Sequence, residues 1–164
     1  MRVIIIGFIL LCSSYCVTAQ PITDTFTQAK QEGISFTELD SLYPSAAHAH
    51  PTKGVFNKDQ ASFLKKYRTM MQEFGQFLNE NNFQWGNRTS FFQRIYFDKN
   101  GSIDYYFVNL DQTHFSDKKR KQFLKLLHAF SEKYQFPMQA ESNFAQCAPI
   151  TFVDPKSTEQ KSNR

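Results

Sequence analysis

The stretch RIYFDKNGSIDYYFV, residues 94–108, constrains the fold more than any other part of the chain. On either side of Asp98-Lys99-Asn100-Gly101, aromatic and β-branched residues alternate at the period of a half-buried strand. Two readings of the four central residues compete. An EF-hand loop places its glycine sixth, which would set Tyr96 first and Phe107 twelfth, and neither can ligate calcium as a carboxylate. A hairpin fits better, with Lys99-Asn100-Gly101 as its loop and the glycine in the left-handed conformation. Asp98 then faces Ser102. That register sets Phe97 opposite Ile103, Ile95 opposite Tyr105 and Phe91 opposite Asn109 on one face. On the other it sets Tyr96 opposite Asp104, Arg94 opposite Tyr106 and Phe92 opposite Val108. A slip of one residue would turn every side chain over.

Amphipathic helices flank the hairpin. Over 58–80, Phe63, Leu64, Tyr67, Met70, Met71, Phe74, Phe77 and Leu78 recur at helical spacing, with Asn57 or Asp59 as cap. Over 117–134, Ser116 caps a helix whose stripe is Phe123, Leu127, Phe130 and Tyr134. Residues 143–153 read as a third strand. Ser35-Phe36-Thr37-Glu38 is a capping box that starts a short helix ended by Pro44. The rest of 21–53 is polar and weakly periodic.

The N-terminus carries an address. Arg2, the apolar run Val3–Leu11 and the small residues Val17 and Ala19 have the three-part layout of a secretory signal peptide cleaved before Gln20. Ser13 and Ser14 interrupt the apolar run short of the roughly 20 residues that a spanning helix needs. The expectation is an exported protein, periplasmic or secreted, with no membrane span in the mature chain. The division expected is 1–19 signal peptide, 20–56 N-terminal extension, 57–153 folded domain and 154–164 flexible tail. Cys12 and Cys16 leave with the signal, so Cys147 remains alone and no internal disulfide forms. Packing must hold the domain. The net charge of +4 is too small to imply a polyanionic partner. Lys118–Lys121 (KKRK) reads as a solvated helix face, and nucleic acid is not expected.

The order helix, hairpin, helix, strand carries a resemblance. RIYFDKNGSIDYYFV, FLKLLHAFSEKYQFP and CAPITF resemble the strand–turn–strand, the second helix with its F-x-P step and the closing P-I-x-F strand of the C-terminal domain of TonB-type energy transducers. The resemblance implies an α+β fold, two helices on one face of a three-stranded antiparallel sheet, with the third strand beside the first and one edge open to a partner's extended segment. Pro149 suits an edge, since it cannot donate to a ladder. The family's uncleaved anchor and Pro-rich spacer are missing, so an energy-coupling role is not carried over.

Candidate chemistry is sparse. His48-Ala49-His50 with His114 or His128 lacks an accompanying cysteine or carboxylate cluster, so no metal and no cofactor is expected. Cys147 with His114 or His128 would make a thiol nucleophile and its base. Its surroundings read as a strand rather than a helix N-terminus, and it is expected as a small buried residue. Recognition is the stronger expectation: a non-catalytic protein binding a protein or peptide. Phe92, Arg94, Tyr96 and Tyr106 would gather with Asp104 on the second hairpin face, unless 21–53 covers it. Phe144, Gln146 and Thr151 would present the edge strand to an added strand. The rival is a small thiol-dependent enzyme, or a TonB-like transducer component if the N-terminus stays as an anchor.

Overall fold

The computed structural model describes residues 20–50 and 52–154; the signal-peptide assignment and the tail 155–164 lie outside them. The chain runs β1 (Ile22–Thr25), α1 (Phe26–Gln31), α2 (Phe36–Leu42), α3 (Gln60–Glu80), β2 (Thr89–Phe97), β3 (Ile103–Val108), α4 (Asp117–Ser131) and β4 (Phe144–Phe152). The sheet order is β1-β3-β2-β4. β2 pairs antiparallel with both β3 and β4, and β1 lies parallel to β3. The class is α+β, but the sheet has four strands and is mixed, where three antiparallel strands are expected from the sequence. The difference is β1, a strand too short and too polar (ITDT) to show alternation. Within 20–56, Ile22–Thr25 is thus a strand of the sheet, and Ser45 makes an isolated bridge to Ala145 of β4. One local signal does mark the site: Thr25-Phe26-Thr27-Gln28 has capping-box spacing, and Thr25 Oγ1 accepts the Gln28 N–H at 3.2 Å to start α1.

The hairpin loop forms as the sequence requires. Gly101 has φ of +96°, the Gly101 N–H donates to Asp98 O at 3.0 Å, and the Asp98 N–H donates to Ser102 O at 2.9 Å. Asp98 Oδ1 accepts the N–H groups of Asn100 and Ser102 at 2.9 and 2.8 Å, so its carboxylate serves the turn. Phe97 pairs with Ile103 as expected. Tyr96 then pairs with Tyr105, not Asp104. Asp104 is an extra residue on β3, a bulge that shifts all later pairing by one. Ile95 therefore faces Tyr106, and Arg94 faces Phe107. The expected faces of Tyr105, Tyr106 and Val108 are exchanged beyond this point.

Two apolar layers result. On one face, Phe63, Met70, Phe74 and Leu78 of α3 and Phe123 and Leu127 of α4 bury Phe91, Ile95, Phe97, Ile103, Tyr106 and Val108. On the other, α1 and α2 cover Tyr96 and Phe107 with Ala29, Leu39 and Tyr43. Gln93 points into the first layer, where it is fully buried. Its amide nitrogen donates to Tyr67 Oη at 2.7 Å, and Tyr106 donates to its oxygen at 2.6 Å. Both ends of the amide are thereby satisfied. Burial pushes the Tyr67 phenol up to about 12, despite the opposing bond to Gln93.

The hairpin loop is also wedged against the α4–β4 connection. Phe136 N–H donates to Gly101 O at 2.9 Å and Ala140 N–H to Lys99 O at 2.8 Å. A Cβ on Gly101 would collide with the Phe136 carbonyl oxygen, a backbone atom that cannot rotate away. Left-handed backbone alone costs a non-glycine residue about 1–2 kcal/mol. Gly101→Val should therefore lose about 2 kcal/mol or more, read from urea unfolding midpoints; a loss no larger than at an exposed control site would contradict this packing.

Candidate functional site

The second hairpin face is largely closed by the chain itself. Ser35 caps α2, accepting the Glu38 N–H at 3.3 Å. Phe36 meets Phe107 edge-on at 5.2 Å, Phe26 lies 6.2 Å from the same ring, and Tyr43 meets Tyr96 edge-on at 5.3 Å. Polar bonds fasten this cover. Tyr43 donates to Asp104 Oδ2 at 2.7 Å, Arg94 Nη1 reaches the two Asp40 oxygens at 3.0 and 2.8 Å, and Tyr96 donates to Asp40 at 3.0 Å. Of the four residues expected to line a recognition surface here, Tyr96 is buried beneath α2 and Tyr106 lies on the opposite face within the core. Arg94 is engaged by Asp40. Phe92 alone is substantially exposed, at 39%.

β4 is one of the two outer strands of the sheet, β1 being the other. Its residues alternate, with Phe144, Gln146, Ala148, Ile150 and Phe152 on the α3 side and Ala145, Cys147, Pro149 and Thr151 on the other. The edge is partly occupied. Ala145 N–H donates to Pro44 O at 2.9 Å, and Ala46 N–H donates to Ala145 O at 2.8 Å, a parallel bridge made by the protein's own segment. Ala145 thus fixes which β4 residues turn their backbone outward: Cys147, Pro149 and Thr151 follow it at the strand period. Pro149 sits where no donor is required of it. Phe144, expected at a binding edge, is instead fully buried against Phe97 at 4.9 Å. Gln146 turns its Nε2 onto Cys147 O at 3.1 Å. Thr151 is exposed, its hydroxyl 2.7 Å from that of Ser90.

Beside Phe92 the outward face therefore carries a strip that no described residue covers. Phe92 pairs directly with Pro149, Arg94 with Cys147 and Ser90 with Thr151. Two buried polar atoms without a partner among the described residues, Arg94 Nε and Gln146 Oε1, belong to the residues that border Cys147.

Cys147 is exposed, contrary to the expectation of a small buried residue, because its place on β4 lies outside the α1–α2 cover. Neither histidine considered as its base is placed with it. His128 is on α4, 3.3 Å from Thr23 of β1, and His114 lies in the β3–α4 connection. His48 and His50 bond within their own loop, at 2.9 Å from His48 Nδ1 to the His50 N–H. Among the described residues no group of three or more His, Cys, Asp or Glu comes together. Two residues carry more than their sequence context suggests. Asp154, assigned to the tail, accepts the N–H groups of Trp85 and Gly86 at 2.6 and 2.7 Å. Lys119, assigned to a solvated face, donates to Trp85 O at 2.7 Å. Among the described residues no helix is long and apolar enough to cross a membrane.

No family model matches the chain, and neither the curated proteins nor the solved structures contain a detectable match.

Burial raises Asp104 above its ordinary 3.8, and the Tyr43 hydrogen bond opposes this only in part. The folded state then holds the Asp104 proton more tightly than the unfolded chain. Its stabilising contribution is complete below 3.8 and is lost as pH rises through the folded value. Asp104→Asn should remove that dependence while keeping an acceptor for Tyr43. In urea melts at pH 7 and pH 4, the variant should be at least as stable as the parent at pH 7 and lose its advantage at pH 4. Asp24, also raised by burial, remains in both proteins as a common background.

Proposed function

We propose that this chain is an exported, non-catalytic protein of the cell envelope that binds a protein or peptide by adding its extended segment to the outer edge of β4. The observation that carries the reading is the state of that edge. The protein's own backbone takes Ala145 and then departs, leaving the outward groups of Cys147, Pro149 and Thr151 in line beyond it. Pro149 removes one donor from this edge, but no lysine stands between Phe144 and Val153 to guard it, and exposed edge groups invite strand pairing. An added strand would lay alternate side chains against Phe92, Pro149 and Thr151, and the backbone would supply the affinity. The run α3-β2-β3-α4-β4, with β4 beside β2, is also the order that the TonB-type resemblance implies, which favours edge recognition.

A partner must displace the Gln146 side chain from Cys147 O to complete the ladder. The short length left open limits the number of backbone bonds, so side-chain fit at Phe92 decides specificity.

Thr151→Pro tests this directly. It deletes an outward N–H while leaving the β2–β4 ladder intact, since the Thr151 backbone points away from β2. Capture of a partner from native envelope extract should fall by tenfold or so in this variant, about the worth of one or two backbone hydrogen bonds. The thermal melt should barely move. Capture that survives Thr151→Pro undiminished would rule out this edge. A catalytic activity abolished by Cys147→Ala would favour the thiol enzyme instead.

A further inference from the structure

β3 leaves the sheet before β2 ends, and the departure opens a cavity. Val108 pairs with Gln93, Asn109 N–H makes a last bond to Phe92 O at 2.8 Å, and the chain then turns away toward α4. Thr89 and Ser90 keep β4 on one side only. The space on their other side is a cavity of about 370 Å³ whose lining includes Trp85, Arg88, Ser90, His114, Phe115 and Lys119. That size suits a small molecule.

We propose that this cavity binds a small organic anion through a carboxylate or phosphate group. Among the described residues the lining contains three basic residues, Arg88, His114 and Lys119, and no carboxylate. The ion pairs among the described residues join Arg94 to Asp40, Arg120 to Asp111 and His128 to Glu132, so none of them neutralises Arg88 or Lys119. Asp154 contacts the lining segment, its two oxygens accepting the Trp85 and Gly86 N–H groups, and Asp111 adjoins Gln112 but is paired with Arg120; neither acid is a lining residue.

Lys119 is pre-positioned. Its ammonium donates to Trp85 O and stands 4.8 Å from the centre of the Phe115 ring, and two N–H groups remain for a ligand. The backbone adds a donor. Phe92 O points toward β3, and the strand period sends the Ser90 N–H to that same side, where β3 has already gone. Phe115, half-buried, supplies an aromatic surface beside Lys119, with Trp85 behind it in the core, which favours an anion carried on a flat apolar body over a bare ion. This site lies across β2 from the β4 edge, so the two can fail or stand separately.

Trp85 is the chain's one tryptophan, so its fluorescence reports on this cavity. The full chain would be titrated at constant ionic strength with inorganic phosphate, benzoate and phenyl phosphate, with amide shifts of Gly86 and Ser90 followed in parallel. Saturable changes are expected, tighter for phenyl phosphate than for inorganic phosphate. Arg88→Gln, at an exposed position, should weaken binding about tenfold, the worth of one charge-assisted hydrogen bond. Lys99→Gln, in the distant hairpin loop, should leave it unchanged. A response that stays linear in all three anions, or equal affinity in Arg88→Gln, would overturn the proposal. Shifts in the parent protein centred away from Gly86 and Ser90 would overturn it too, whether or not the variant folds.

Discussion

One inserted residue sets the architecture. Asp104 gives β3 one more residue than β2 across from it, so Tyr105 follows it onto the same face and Tyr106 turns to the other. Without that extra residue Tyr106 would lie under α2, and Gln93 would lose the hydroxyl that satisfies its buried oxygen. Phe107 would equally leave the face that α1 and α2 pack upon. The bulge also presents Asp104 itself to Tyr43, so the residue that shifts the register anchors the cover that the shift makes possible. A local irregularity and two apolar layers are thus one interdependent arrangement.

The second constraint is the hairpin loop, which works beyond its own strands. Its carbonyl groups at Lys99 and Gly101 accept from Ala140 and Phe136, and the Lys99 N–H donates to Asn143 at 3.1 Å. These bonds fix where the chain re-enters the sheet as β4. They hold Phe144 beneath the stacked ring of Phe97, and so they determine which residues of β4 face outward. The position of the open edge is therefore dictated from a turn at the opposite end of the strand.

The elements with strong periodicity were legible in the sequence. The α3 and α4 stripes, the Ser35 and Ser116 caps and the left-handed Gly101 all follow from residue pattern and turn chemistry. The bulge was not legible, because IDYYFV alternates acceptably in either register and only the buried partner of Gln93 distinguishes them. β1 escaped because a parallel edge strand draws its stability from β3, 83 residues beyond Ile22 at Tyr105, and needs little side-chain signal of its own. For the same reason the candidate surface was only half visible. Phe92 and Thr151 remain outside, whereas Tyr96, Tyr106 and Phe144 are interior once the N-terminal segment and the bulge are in place.

The parallel pairing of β1 has a kinetic consequence. The β2–β3 hairpin joins segments close in sequence and can assemble as soon as both are made, whereas the β4 return must bring Phe144 back to Phe97. β1 must close a longer loop still, about half the chain, before it gains its first bond to β3, and contacts of such separation form slowly. β1 is synthesised before β3 and can pair only once β3 has been made and brought back to it. Until it does, β3 offers an unpaired side and Phe107 a bare surface, so the interval before β1 docks is the time at which this chain is most exposed to pairing with its neighbours.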